Sequence, residues 1–198
     1  SMQPREKFSF KKKGAADKKK EETKTEETQK KEKAPETDGE EFLKIKGLEG
    51  LTGEKKTLEE SDLEPSYKLI GLTDCEINMN GKLKAVFIKN CTNCKINIGP
   101  VEGAVFVDNC LDSTLNLVAH QCRIHNSMGV TFRLFATSKP IIEYCTNLKF
   151  GKYNHTYEKF QDDIKSTGFE GKENLWDQVQ DFGWLKQEKS PNFELIDQ

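Results

Sequence analysis

The chain has 198 residues, with 31 lysines and arginines against 33 aspartates and glutamates and a formal net charge of −2. That length allows one ordinary domain with extensions. A balance this close to neutral gives no general reason to expect nucleic acid or an acidic membrane surface as partner. No long apolar run suggests a transmembrane segment, and no cationic, apolar leader marks the chain for secretion. Ser1-Met2 reads as a cleavage scar, so the natural N-terminus is expected to be missing.

Residues 1–40 hold 12 basic and 10 acidic residues with only two aromatics, Phe8 and Phe10. Lys/Glu/Thr blocks of this kind bury too little apolar surface to offset chain entropy, so a disordered charged linker is expected. The alternative for Lys7-Phe8-Ser9-Phe10-Lys11-Lys12-Lys13 is a short docking peptide, two Phe anchors set in positive charge. Residues 41–69 read as a lead-in, where Phe42, Leu43, Ile45, Leu48 and Leu51 suit a short strand or helix.

Residues 70–150 repeat. Ile70–Cys75, Val86–Cys91, Val105–Cys110, Cys122–Ser127 and Pro140–Cys145 align at spacings of 16, 19, 17 and 18 residues. Each alternates apolar and polar, then reaches Asn or Asp in four of five copies and ends in Cys in four of five. A second strand-like run follows each: Glu76–Met79, Lys95–Ile98, Thr114–Leu117, Thr131–Leu134 and Leu148–Phe150. Two-residue alternation inside a fixed repeat is a strand pattern in a stacked array, and a unit this short suits one coil of a parallel β-helix. The predicted fold class is therefore mainly β, a solenoid of stacked parallel strands.

Parity then sorts the side chains. Val86, Ile88, Val105, Val107, Ile124 and Ile142 are expected to face inward, and Phe87, Phe106, Arg123 and Ile141 outward as one ladder. Asn90, Asn109 and Asn126 belong at corners, where Asn tolerates left-handed backbone. Cys75, Cys91, Cys110 and Cys145 are expected to share one column as buried, reduced thiols, which suits a reducing cytoplasm. Cys91-Thr92-Asn93-Cys94 has zinc-knuckle spacing but no second ligand pair. His120, His125 and His155 have no metal or catalytic spacing with one another, and no nucleotide-binding loop or catalytic triad is visible, so no self-contained active site is read.

Residues 151–198 depart from the repeat and read as a helical cap. Tyr157–Thr167 suits a helix through Phe160 and Ile164, ended at Gly168. Leu175, Trp176, Val179, Phe182 and Trp184 give a second apolar stripe, suited to covering the open end of a solenoid.

Arg123 is out of place among the apolar residues of its column. The chain has 28 lysines and only three arginines, Arg5, Arg123 and Arg133. A guanidinium is flat, always charged and able to bond phosphate oxygens at two points, which an ammonium does not copy. One reading is a surface arginine paired with a carboxylate such as Glu143. The other is an arginine finger offered in trans to a transferring γ-phosphoryl group.

The runs Ala119–His125 and Ala136–Glu143, followed by Asn174–Trp184, resemble the tubulin-binding cofactor C family and its C-terminal C-CAP/cofactor C-like (TBCC) domain, over about residues 70–198. The resemblance implies a right-handed parallel β-helix with a GTPase-activating arginine at Arg123. Gln121 matches the second of two glutamines that precede the finger, and His120 replaces the first. Glu143 matches a glutamate that orients the finger, and Phe182 an aromatic that contacts the GTPase. No cofactor of its own is implied: GTP and Mg would be bound by the partner.

The partners implied are β-tubulin or αβ-tubulin with cofactors D and E, and a cytoplasmic, cytoskeleton-associated setting. Phe8-Ser9-Phe10 with its lysines resembles a segment ahead of the domain in that family, whose N-terminal helical domain is not seen here. The alternatives are a sister branch that activates Arf-like small GTPases, whose Met-Gly-Cys lipidation signal is not found at Met2-Gln3-Pro4, and a non-enzymatic actin- or tubulin-binding solenoid.

Overall fold

The computed structural model describes residues 39–197. The linker and the Phe8/Phe10 segment lie outside these residues, except that Gly39 and Glu40 open the first helix. In chain order the elements are α1 (Gly39–Lys44), β1 (Lys46–Glu49), β2 (Lys55–Glu59), β3 (Ser66–Ile70), β4 (Glu76–Asn80), β5 (Leu83–Lys89) and β6 (Lys95–Asp108). They continue with β7 (Thr114–His125), β8 (Thr131–Ala136), β9 (Ile141–Glu143), β10 (Leu148–Lys152), α2 (Phe160–Ser166), β11 (Gln180–Asp181) and β12 (Phe193–Leu195).

Every strand pairing is parallel, and the strands wind into a β-solenoid of about six coils. One face carries β1, β3, β5, the second halves of β6 and β7, then β9 and β11. The other carries β2, β4, the first halves of β6 and β7, then β8, β10 and β12. Thus the segment 41–69 supplies the rest of α1, the strands of the first coil and most of β3. Among the described residues, no helix is long and apolar enough to cross a membrane.

The alternation sets the faces as expected. Val86, Val105 and Cys122 stack in register, as do Ile88, Val107, Ile124 and Ile142, and all are buried. Phe87, Phe106, Arg123 and Ile141 form the outward ladder beside them. The first two rings stack at 5.2 Å, and Phe42 of α1 meets Phe87 edge-on at 5.3 Å, so the N-terminal end of the ladder is covered.

Each coil passes from the first face to the second through two left-handed residues three apart, with φ between +46° and +69°. The pairs are Gly50/Gly53, Gly71/Asp74, Asn90/Asn93, Asn109/Asp112, Asn126/Gly129 and Tyr144/Asn147. Two positions per corner therefore point inward, also three apart, and Cys91 and Cys94 are one such pair. This corrects the cysteine column. Thr73 pairs with Thr92, which places Cys75 over Cys94 and puts Leu72 in line with Cys91, Cys110, Ser127 and Cys145. Aligning the first corner on its cysteine slides that coil by three residues, because the corner has two inward slots and cysteine fills the second there. All six cysteines are free and buried; the Cys91 thiol donates to Lys89 O at 3.4 Å and that of Cys94 to Thr92 O at 3.3 Å.

The second face carries a ladder of buried or half-buried asparagine amides. Asn116 Nδ2 donates to Asn97 Oδ1 at 2.8 Å, and Asn97 Nδ2 to Asn78 Oδ1 at 2.7 Å.

The C-terminal cap is less helical than its apolar stripe suggests. Among the described residues of this segment only α2 is an α-helix, and Gly168, at φ +78°, follows its end. Residues 174–182 instead follow the last coils, where Leu175 N reaches Ala136 O and Gln180 N reaches Pro140 O, both at 2.8 Å, with one turn between them closed by Gln178 N on Leu175 O at 3.0 Å. Trp176 is buried in the core.

Candidate functional site

Strand β7 crosses from one face to the other, and its second half lies between β6 and β9. Arg123 sits at an outward position there, opposite Phe106 on one side and Ile141 on the other. Strands on both sides fix its backbone, so a half-buried side chain leaves a stiff surface. In a parallel sheet the neighbouring side chains of its column stand about 4.8 Å away.

Alternation puts Gln121, Arg123 and His125 on the same side of β7. Gln121 Oε1 accepts a hydrogen bond from Arg123 Nη2 at 3.4 Å. His120 stands at the bend, exposed, with Nδ1 2.8 Å from Thr137 Oγ1. Its carbonyl accepts from Ser138 N at 3.0 Å and Ser138 Oγ at 2.7 Å, which anchors the loop leading into β9.

Glu143 lies one coil further on, in register with His125 while Arg123 is in register with Ile141. Its Oε2 is 3.8 Å from His125 Nε2, beyond the 2.7–2.9 Å usual for a charge-assisted bond. The column runs Lys89, Asp108, His125, Glu143 beside that of Arg123, so carboxylates stand diagonally to either side of the guanidinium.

Phe182 follows β11, with its amide donating to Ile142 O at 2.9 Å. That bond extends the parallel register to the position beside Glu143, and the ring is 54 % exposed. Asp181 fixes the turn behind it, accepting from Ser190 Oγ at 2.6 Å and Asn192 Nδ2 at 2.7 Å.

The fold thus brings Arg123, Gln121, Glu143 and Phe182 onto one face, with His120 at its rim. His125 was missed as the neighbour of Glu143, although its place two residues after Arg123 already put it on that face. Chemically the face offers a positioned cation and polar side chains. Among the described residues, no group of three or more His, Cys, Asp or Glu side chains is arranged to hold a metal ion.

The family model described as tubulin binding cofactor C matches residues 64–182, more than half of the chain. The chain is 34% identical over 152 residues to the tubulin-folding cofactor C of Arabidopsis thaliana, covering 76% of this chain and 44% of that protein. To the tubulin-specific chaperone C of Mus musculus it is 29% identical over 148 residues, 70% of this chain and 43% of that one. It therefore spans less than half the length of these curated relatives. A solved structure of tubulin binding cofactor C from Leishmania major superposes with a TM-score of 0.53 at 26% identity, covering 59% of this chain and 80% of that one.

Proposed function

The chain belongs to the tubulin binding cofactor C family, and on that footing we propose that it acts in tubulin folding as a GTPase-activating protein for β-tubulin, together with cofactors D and E. The observation that carries this reading is the position of Arg123, a guanidinium set between Phe106 and Ile141 on a parallel sheet, in an outward column whose other cation, Lys68, is paired with Glu49 at the N-terminal end. A guanidinium held in this way has little freedom left to lose when a partner's phosphates approach, so its charge can act on the transition state.

In the proposed mechanism this chain supplies half of the site. Arg123 reaches the γ-phosphoryl group of GTP bound by the partner and stabilises the negative charge that spreads over its oxygens. Gln121 steers the guanidinium from the same strand. Glu143 and Asp108, diagonal to Arg123, keep the local field from being wholly positive and hold the guanidinium near the face. Phe182 presents an exposed ring two coils beyond Arg123 for contact with the GTPase, and His120 lines the rim. Such a protein works in the cytoplasm beside the cytoskeleton.

The experiment is a paired measurement of phosphate release. The protein is added to αβ-tubulin with cofactors D and E, and separately to an Arf-like small GTPase. Acceleration in the first mixture is expected. Acceleration confined to the second would move the assignment to Arf-like GTPases.

A further inference from the structure

The first left-handed residue of successive corners is Gly71, Asn90, Asn109, Asn126 and then Tyr144. Glycine has no Cβ to clash in this conformation, and Asn adopts it more readily than other residues that carry a side chain. Tyr144, at φ +55°, has neither advantage. A bulky residue in this region is a backbone outlier, and such outliers gather at functional sites. Burial does not compensate, because the Tyr144 side chain is 75 % exposed.

Its position relates it to the Arg123 face. Tyr144 directly follows Glu143 at the end of β9, and Asn126 N donates to Glu143 O at 3.1 Å across the same corner. The Phe182–Gly183 turn passes alongside: a Cβ built on Gly183 would lie 3.7 Å from Tyr144 N. Two exposed aromatic residues therefore adjoin Glu143, Phe182 across the coil and Tyr144 along the chain, at the edge of the surface that holds Arg123.

We propose that Tyr144 is a partner-contact residue of this face, which with Phe182 grips the GTP-bearing partner and sets which partner is accepted. The inference rests on the Arg123 reading above and adds a specificity-determining residue to it. A tyrosine offers a large flat surface with few torsions to freeze, the reason such residues dominate binding hot spots. Two rings next to a carboxylate suit a partner surface with an apolar patch beside a basic side chain, at the margin of its nucleotide site. The corner gains nothing from the ring in the free protein. Its benefit lies in the complex.

Tyr144→Asn restores the residue used in three preceding corners, so the variant is expected to fold. Stimulated GTP hydrolysis by αβ-tubulin with cofactors D and E is measured against the concentration of wild type, Tyr144→Asn, Tyr144→Phe and Arg123→Ala, with a thermal melt of each. For Tyr144→Asn the melting temperature is expected to equal or exceed that of wild type. The half-saturating concentration should rise about tenfold, as for loss of an aromatic hot spot, with the plateau rate unchanged. Tyr144→Phe should follow wild type. A Tyr144→Asn dose curve that superimposes on wild type, with Arg123→Ala inactive, overturns this proposal alone. A melting temperature below wild type also overturns it, by showing that the ring serves the fold. If Arg123→Ala keeps full stimulation, the reading beneath the proposal fails, and the proposal with it.

Discussion

Gln121 and Arg123 leave β7 on the same side, and the amide oxygen of the first accepts a hydrogen bond from Nη2 of the second at 3.4 Å. At that length the bond contributes little stability, so its effect is on direction. Gln121→Ala should leave the melting temperature near wild type and reduce the saturating stimulated rate by about 10- to 100-fold, the range set by small misplacement of a catalytic group. Stopped-flow phosphate release checks this. An unchanged saturating rate would mean that Gln121 does not steer the guanidinium.

Phe182 makes its backbone contact to Ile142 while its ring stays exposed. Phe182→Ala should therefore raise the half-saturating concentration and leave both the plateau rate and the melting temperature in place. A large fall in melting temperature instead would assign the ring to the cap.

Asn97 lies in the middle of the amide ladder and is buried. Asn97→Ala removes two hydrogen bonds and strands the donor of Asn116, which costs about 1–3 kcal/mol for a buried polar group. The melting temperature should fall by several degrees while the GTPase response of the surviving folded protein stays normal. A variant as stable as wild type would show that the ladder is ornamental to the fold.

The buried thiols set an alkaline limit. Burial pushes Cys94 up to about 11 and Cys122 up to about 12, and moves Cys145 the same way. Cys91 moves down, because the Cys110 side chain bonds it. The raised groups favour the protonated form in the fold, so their contribution is whole below the unfolded thiol value, about 8.5, and is lost as pH rises through the folded values. Thermal melts should show stability declining from about pH 8.5 upward. Cys122→Ala, which removes the group buried most free of other influences, should flatten that decline. An identical pH dependence in the variant would exclude this cause.

Much of the fold was legible in the chain because period-two alternation decides which side chains enter the core. Val86, Val105, Ile124 and Ile142 fell inward, and Asn90, Asn109 and Asn126 adopted left-handed corners, for reasons visible in one coil at a time. The phase of the first coil was not legible. Its corner reads Gly71-Leu72-Thr73-Asp74-Cys75, and cysteine alone does not say which of two inward slots it fills. The tail was legible at Phe160 and Ile164, where helical spacing is local. It was not legible at Leu175–Phe182, because apart from one turn, closed by Gln178 N on Leu175 O, that run takes its backbone partners from Ala136, Pro140 and Ile142. At the site, alternation placed Gln121 and Arg123 together. The pairing of Glu143 with His125 depends on the length of the intervening coil, which only the register reveals.

The most direct measurement is single-turnover GTP hydrolysis by αβ-tubulin with cofactors D and E, comparing wild type with Arg123→Ala and Arg123→Lys at saturating concentration. A positioned arginine predicts a loss of about 10³-fold or more for alanine, and little recovery with lysine, whose ammonium lacks the planar fork. Binding and melting temperature should remain near wild type. Stimulation that persists in the alanine variant would contradict the account, and would leave the coil as a scaffold without a catalytic side chain.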